Sequence, residues 1–365
     1  MSGKLETYVG QVESILLERD GFAEITVSLD EKTEKAVNYE DLTGKVSVGD
    51  QVLLNTTAVK LGLGTGGYHF VRANLSKPQV SLSGPGHIMK LRYTPEQIKV
   101  LSVEEEAAGF QEIFNSFESL GGFPVAIIPL HSFLAPFVLS YKLMVPDGKI
   151  AYIMTDGGAL PAAFSHSISA LKNAGLLYKV ITCGHAFGGD FEAVNIYSAL
   201  IAAKEIIRAD AAVIGMGPGN VGTGTKWGFS GIQLGEAVNS VNILGGRVIF
   251  CPRISFADPR ERHRGISHHS LTVISKVALT PAIVVLPHLS WSQEKLLKEQ
   301  LFDAGIHEKH SVVWEYGEKG WENLCKASFS CNTMGRGINE DKEFFLGACA
   351  GGIYTGQISG QVGFN

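Results

Sequence analysis

Apolar residues fall along this chain in two rhythms, and the change comes near residue 90. Up to about residue 75, short apolar–polar alternations recur in ETYVGQVESILLE, FAEITVSLD, KAVNY, DQVLLN and GYHFVRANL. Period-two patterns separated by turn signals such as Arg19-Asp20-Gly21 predict five or so strands of a small β-barrel or sandwich. The stretch SKPQVSLSGPGHIMK, punctuated by proline and glycine, then reads as a linker. From about Leu91 the apolar runs stop alternating: VAIIPL (125–130), IAYIM (150–154), YKVIT (178–182), AAVIG (211–215), RVIFC (247–251) and AIVVL (282–286). Unbroken runs are expected of strands covered on both faces in a parallel sheet. Helical segments lie between them, among them SHSISALKNAG, closed by Gly175, and DFEAVNIYSALIAAKEIIR, which Asp190 is placed to cap. The expected architecture is an α/β chain: a small N-terminal β-barrel-like domain with its linker (1–90), then a doubly wound, mostly parallel α/β sheet domain (91–365).

Composition narrows the class further. Of 365 residues, 45% are hydrophobic and 18% charged. No apolar run approaches the roughly 20 residues of a membrane span, and MSGKLETYVG lacks the apolar core of a signal peptide, so a cytoplasmic protein with no membrane partner is expected. Five cysteines without a C-x-x-C indicate neither a disulfide framework nor a structural zinc knot. A net charge of -5 argues against a nucleic-acid partner held by a global basic field.

The ends of the apolar runs carry the candidate chemistry. They deliver, in order, His131-Ser132, Thr155-Asp156-Gly157-Gly158, Cys183-Gly184-His185, a glycine-rich loop, Pro252-Arg253 and His288. In a parallel sheet these ends share one edge, where open α/β folds bind ligands.

The loop GMGPGNVGTGTKWGFSG places seven glycines in seventeen positions, Gly215 to Gly231. Gly217, Gly219 and Gly222 satisfy G-x-G-x-x-G, but a further Gly/Thr-rich stretch delays the helix, and RVIFC ends in Pro252-Arg253 where a dinucleotide site needs an acid. Walker A fails too, because Thr225 separates Gly224 from Lys226 and Trp227 stands in the Ser/Thr position. What remains is a donor-rich loop in which Thr223, Thr225 and Lys226 can join backbone N–H groups around an anion. A lid or subunit-contact loop is the competing reading.

ISFADPRERHRGISHHS (254–270) follows Arg253 and holds Arg260, Arg262, Arg264, His263, His268 and His269. Guanidinium forks match phosphate and carboxylate, so arginine concentrated in an acidic protein suggests an anionic ligand. Ser267 is placed to cap a helix starting at His268. The alternative is a surface loop whose acids and arginines pair with one another. In TCGHAFGGDFEAVN, His185 is a candidate general acid or base oriented by Asp190 or Asp156, while Cys183 reads as packing. His131, Asp156, His185, Asp190 and His263 can also assemble a divalent-metal site, although no metalloprotease spacing supports it. Near the C-terminus, Arg336 is a second-rank anion contact. A helix from about Asp341, with a face of small residues, suits a homo-oligomer contact or closure over the sheet.

The strings VGDQVLLNTTAVKLGLGTGGYHFV, GHIMKLRYTP, YIMTDGGALP, GHAFGGDFEAVN, GMGPGNVGTGT, RISFADPRERHRGISHH and MGRG together resemble a bacterial, mainly Gram-positive, family of uncharacterised proteins, a domain of unknown function. The resemblance spans nearly the whole chain and implies membership without an activity, cofactor or residue role. The residues themselves suggest an enzyme for a small anionic metabolite, phosphorylated or nucleotide-like, working by hydrolysis or group transfer. His185, Asp156 and His263 would serve proton transfer, and the glycine loop with Arg253, Arg260, Arg262 and Arg264 would hold the anion. A non-catalytic sensor acting through a partner or oligomer, and a metal-dependent hydrolase, are the alternatives. No cofactor is assigned.

Overall fold

In the computed structural model, residues 4–327 and 330–362 are described. They divide into two compact units, Met1–Leu101 and Ser102–Asn365.

The first unit is a closed barrel of β1 (Thr7–Arg19), β2 (Phe22–Leu29), β3 (Lys32–Tyr39), β4 (Gln51–Asn55) and β5 (Tyr68–Asn74), in the order β1-β2-β3-β5-β4. The first three strands pair antiparallel and β4 returns beside β1, a Greek key. β1 is long enough to pair with both β2 and β4, and register shifts between Val12 and Ser14 and between Ile15 and Leu17 bend it. The alternation read from sequence fills the interior with Val12, Ile25, Val27, Ala36, Val52, Leu54 and Val71, all buried. A hairpin, Ile88–Lys90 with Ile98–Val100, occupies the end of this unit.

The second unit is built on eight parallel strands: β6 (Pro124–Ile127), β7 (Ile150–Thr155), β8 (Lys179–Cys183), β9 (Phe191–Ala193), β10 (Ala211–Met216), β11 (Arg247–Phe250), β12 (Ile283–Pro287) and β13 (Ser311–Glu315). Their order is β9-β8-β7-β10-β6-β11-β12-β13. Six of the eight are the unbroken apolar runs. The other two are the edges: β9 lies where a helix was expected, and β13 is partly exposed along its length. Successive residues of β6 face opposite cores, Val125 and Ile127 one and Ala126 the other. Helices α1 (Leu134–Met144), α2 (His166–Asn173), α7 (Glu318–Lys326) and α8 (Lys342–Val362) contribute to the core containing Ala126. α3 (Ile196–Ile201), α4 (Gln233–Ile243), α5 (His268–Thr272) and α6 (Trp291–Asp303) serve the other. The chain winds outward from β6 to β9, returns to β10 beside β6, and crosses to β11 on the other side, so the strand order reverses around β6.

One expectation changes here, and one of two alternatives is met. Asn195, not Asp190, caps α3, its side chain accepting the N–H groups of Tyr197 and Ser198. The small-residue face of α8 closes inward: a Cβ on Gly352 would overlap the carbonyl oxygen of Phe137 in α1.

Candidate functional site

The glycine loop leaves β10 beside the turn after β7. Ala159 N–H donates to Pro218 O at 2.7 Å, and a Cβ on Gly217 would overlap the Ala159 carbonyl oxygen, one on Gly158 that of Gly217. These glycines let two backbones touch. Further out the loop folds on itself: Gly222 and Phe229 form an antiparallel bridge, Thr223 N–H donates to Gly228 O at 2.8 Å, and Gly228 N–H donates to Thr225 Oγ1 at 3.1 Å. The threonine hydroxyls therefore close the tip. Lys226 Nζ lies 5.5 Å from the Trp227 ring centroid.

The root of the loop rests on His131. Its Nδ1 faces Met216 O at 3.3 Å, its Nε2 pairs with Ser165 Oγ at 2.6 Å, and the Tyr152 hydroxyl donates to Met216 O at 2.8 Å. Burial lowers the His131 pKa to about 4, so the ring is neutral and holds the loop in place. The folded pKa lies below the ordinary 6.5. The unfolded chain therefore binds the proton first, and stability falls as pH drops from about 6.5 to about 4, by on the order of 3 kcal/mol in the limit. Urea unfolding across that window is expected to show a shallower pH slope for His131→Gln than for the wild type.

The arginine–histidine segment leaves β11 and returns on itself. Ile254–Ser255 pairs with Gly265–Ile266, and Ser267 N–H donates to Arg253 O at 2.9 Å. Inside this excursion the fully buried carboxylate of Asp258 gathers guanidiniums. Arg253 Nη2 donates to its Oδ2 at 2.7 Å, Arg260 Nε and Nη2 donate to Oδ1 and Oδ2 at 2.9 and 2.8 Å, and Arg336 Nη2 stands 3.6 Å from Oδ2. The Arg260 fork is the largest cause holding the Asp258 carboxyl well below the usual carboxylate range. Asp341 takes Arg336 Nε at 3.0 Å and the Ser255 hydroxyl at 2.8 Å. Arg336 Nη2 is also 2.9 Å from Asp341 Oδ2, close enough for an ion pair but without hydrogen-bonding alignment. Three guanidiniums thus face two carboxylates, a local excess of one positive charge.

Three imidazoles complete the segment. Ser267 caps α5 and its Oγ lies 2.8 Å from His263 Nδ1, which Arg253 Nη1 also approaches at 3.2 Å. The ring centroids of His268 and His269 are 4.0 Å apart, and those of His263 lie 5.0 and 5.3 Å from them. Nε2 of both His268 and His269 is buried without a hydrogen-bond partner. Burial first, then the neighbouring arginines, lowers His263 to about 3. For His269, burial and then His268 lower it to about 4, and His268 moves in the same direction. All three rings are neutral, with lone pairs to offer.

Loop and segment meet at two glycines. The Phe229 ring stacks on His269 with centroids 3.9 Å apart. A Cβ on Gly222 would stand 3.2 Å from His269 Cε1, and one on Gly224 3.4 Å from Arg262 Nη2. Bare backbone there lets an imidazole and a guanidinium lie against the loop. Loop residues 219–228 and Arg262 are exposed, so this junction opens to solvent.

The residues singled out from sequence therefore separate into groups. Gly217, Gly219, Gly222, Thr223, Thr225 and Lys226 belong to the loop, and Arg253, Arg260, Arg262, His263, His268 and His269 to the segment beside it. Arg264 turns toward Phe256, its guanidinium carbon 5.9 Å from the ring centroid. Asp156 accepts the backbone N–H of His185 at 3.0 Å and so fastens the turns after β7 and β8. Those strands lie three and four positions from β11, roughly 14 and 19 Å at ~4.8 Å per strand. Asp190 is elsewhere: it accepts Lys172 Nζ at 2.7 Å and the backbone N–H of Val180 at 2.8 Å, at the start of β8. Among the described residues, the histidines and acids close enough to share a metal ion are His263, His268 and His269, not the set mixed with carboxylates that the sequence suggested. Gln233, whose Nε2 donates to Thr155 Oγ1 at 3.0 Å, was missed because nothing in its helical context marks it.

Fold and rim define a class: a doubly wound parallel α/β protein whose strand C-termini present a glycine loop and a basic, histidine-bearing excursion at the point of strand reversal. The chain belongs to the family described as Protein of unknown function (DUF3866), whose model matches residues 35–352. No curated protein matches it. No helix among the described residues is long and apolar enough to cross a membrane.

Proposed function

We propose that the protein is an enzyme acting on a small anionic metabolite, phosphorylated or nucleotide-like, which it holds between residues 219–226 of the glycine loop and Arg262. The observation that carries this reading is the meeting of loop and segment, in which backbone, an exposed guanidinium and three neutral imidazoles converge beside a local excess of positive charge. Arg262 and Lys226 supply the exposed cations. Arg253 and Arg260, committed to Asp258, supply the field. Neutral imidazole lone pairs are groups that a hydrolysis or group transfer can use as proton acceptor or ligand, which supports the reading.

A thermal-shift screen against phosphate, nucleotides, sugar phosphates and carboxylates tests the reading. An anion at about 100 times its dissociation constant adds roughly 2.7 kcal/mol to stability, and a tenfold affinity loss in Arg262→Ala reduces that to about 1.4 kcal/mol. An identical midpoint shift in wild type and variant contradicts the assignment. One observation favours a second reading, a sensor that binds without turnover: Leu61 and Leu63 stand 65% and 58% exposed on the barrel unit. Ligand binding with no product formed would select it.

A further inference from the structure

We propose that His263, His268 and His269 form a three-histidine site for a divalent transition-metal ion of the zinc type. The inference rests on the anion-site reading above and gives that site its Lewis acid.

One ring nitrogen from each histidine lies within 4.8 Å of the other two. The two Nε2 atoms of His268 and His269 are buried with no hydrogen-bond partner, a costly state for a polar atom unless something occupies the space between them. Neighbours fix the rings in direction. Phe229 stacks on His269, and Ser267 caps α5 while its Oγ lies 2.8 Å from His263 Nδ1. A hydroxyl on the far nitrogen is the outer-sphere partner that metal-bound histidines use, and it leaves Nε2 of His263 as the ligand atom. Loading needs the proton on Nδ1, donated to Ser267 Oγ, so that Nδ1 no longer accepts from Arg253 Nη1, while Arg253 keeps its Nη2 bond to Asp258.

The donor set selects the ion. Three imidazoles without a carboxylate suit zinc, cobalt, nickel or copper and not magnesium or calcium. Three protein ligands also leave one position open, the arrangement of catalytic and not structural sites. The surrounding guanidiniums oppose a bare dication, so the open position takes an anion, either hydroxide or the oxygen of a phosphorylated substrate that Arg262 also reaches. Metal and anion then strengthen each other's binding, reciprocally.

The test uses the full-length protein stripped with a chelator and titrated with Co2+, followed by visible absorption, and with Zn2+, followed by calorimetry. One ion per chain is expected, with d–d bands of a nitrogen-ligated site. His268→Ala and His269→Ala should abolish binding, Ser267→Ala should weaken it about 10- to 100-fold, and His185→Ala should leave it unchanged. Inorganic phosphate should tighten Zn2+ binding at least fivefold. Far-ultraviolet circular dichroism of the stripped variants separates lost ligands from lost fold, and a double variant, His268→Gln with His269→Gln, keeps the volume of the site. No stoichiometric binding by the wild type, or binding that survives in folded His268→Ala and His269→Ala proteins, overturns the proposal. Absence of stoichiometric metal binding, together with anion binding that still depends on Arg262, would sink the metal site alone and leave the anion site standing.

Discussion

Asp258→Asn is expected to lower the unfolding free energy by about 3–5 kcal/mol, because it leaves buried charge uncompensated. The Asp258 side chain is fully buried and Arg253 nearly so, at 7% side-chain exposure. With the carboxylate gone, Arg253 loses its strongest partner in a place water does not reach, and Arg336 faces Asp341 alone. Arg260→Ala removes the opposite end of the same pairing, but its side chain is 39% exposed, so a cost of about 1 kcal/mol or less is expected. Chemical denaturation of the two variants checks the contrast, and equal losses would contradict it. The pH dependence has a definite sign. The folded Asp258 pKa is depressed, so its stabilisation is complete above the ordinary value of 3.8 and disappears as pH falls from there toward the folded pKa.

Gly217→Ala is expected to cost about 3 kcal/mol and to displace the glycine loop. A methyl group on Gly217 would occupy the space of the Ala159 carbonyl oxygen and stand 3.1 Å from Met154 Cε. Neither backbone can yield cheaply: Ala159 N–H is bonded to Pro218 O, and Met216 O is held by Tyr152 and His131. Overpacking of this kind typically costs 1–3 kcal/mol. The functional consequence distinguishes the site from its scaffold. The variant should lose most of its thermal shift with the anion that stabilises the wild type, although residue 217 is itself buried. An unchanged shift would mean that the root of the loop does not position the site.

Much of this was legible because period and length carry it. Alternation gave the barrel strands, unbroken apolar runs the six inner strands of the sheet, and a serine before paired histidines the cap of α5. The edge strands were not legible for opposite reasons. Phe191–Ala193 is three residues long inside a stretch with helical spacing, and Ser311–Glu315 has neither clean alternation nor full burial. Asp190 stood before a helical pattern and looked like a cap, but β9 intervenes and Asn195 takes that role. For the candidate site, residue types single out the segment and allow its acids and arginines to pair, as Asp258 does with Arg253 and Arg260, but they do not say which partners meet. That one carboxylate would bind Arg253 and Arg260 and also draw Arg336, from far along the chain, is a tertiary fact. So is the meeting of His263 with His268 and His269, which depends on the antiparallel return of 265–266 onto 254–255. The glycines of the loop suggest a cradle for an anion, and the structure gives four glycines a packing reason as well. Gly217 and Gly158 serve backbone contact, and Gly222 and Gly224 make room for His269 and Arg262.

The most direct measurement is a crystal structure grown with the anion that most strongly stabilises the protein. The account predicts density for that anion at the junction of loop residues 219–226 with Arg262 and the three imidazoles. An anion seated instead at the Asp156–His185 turn or on the barrel unit would contradict it.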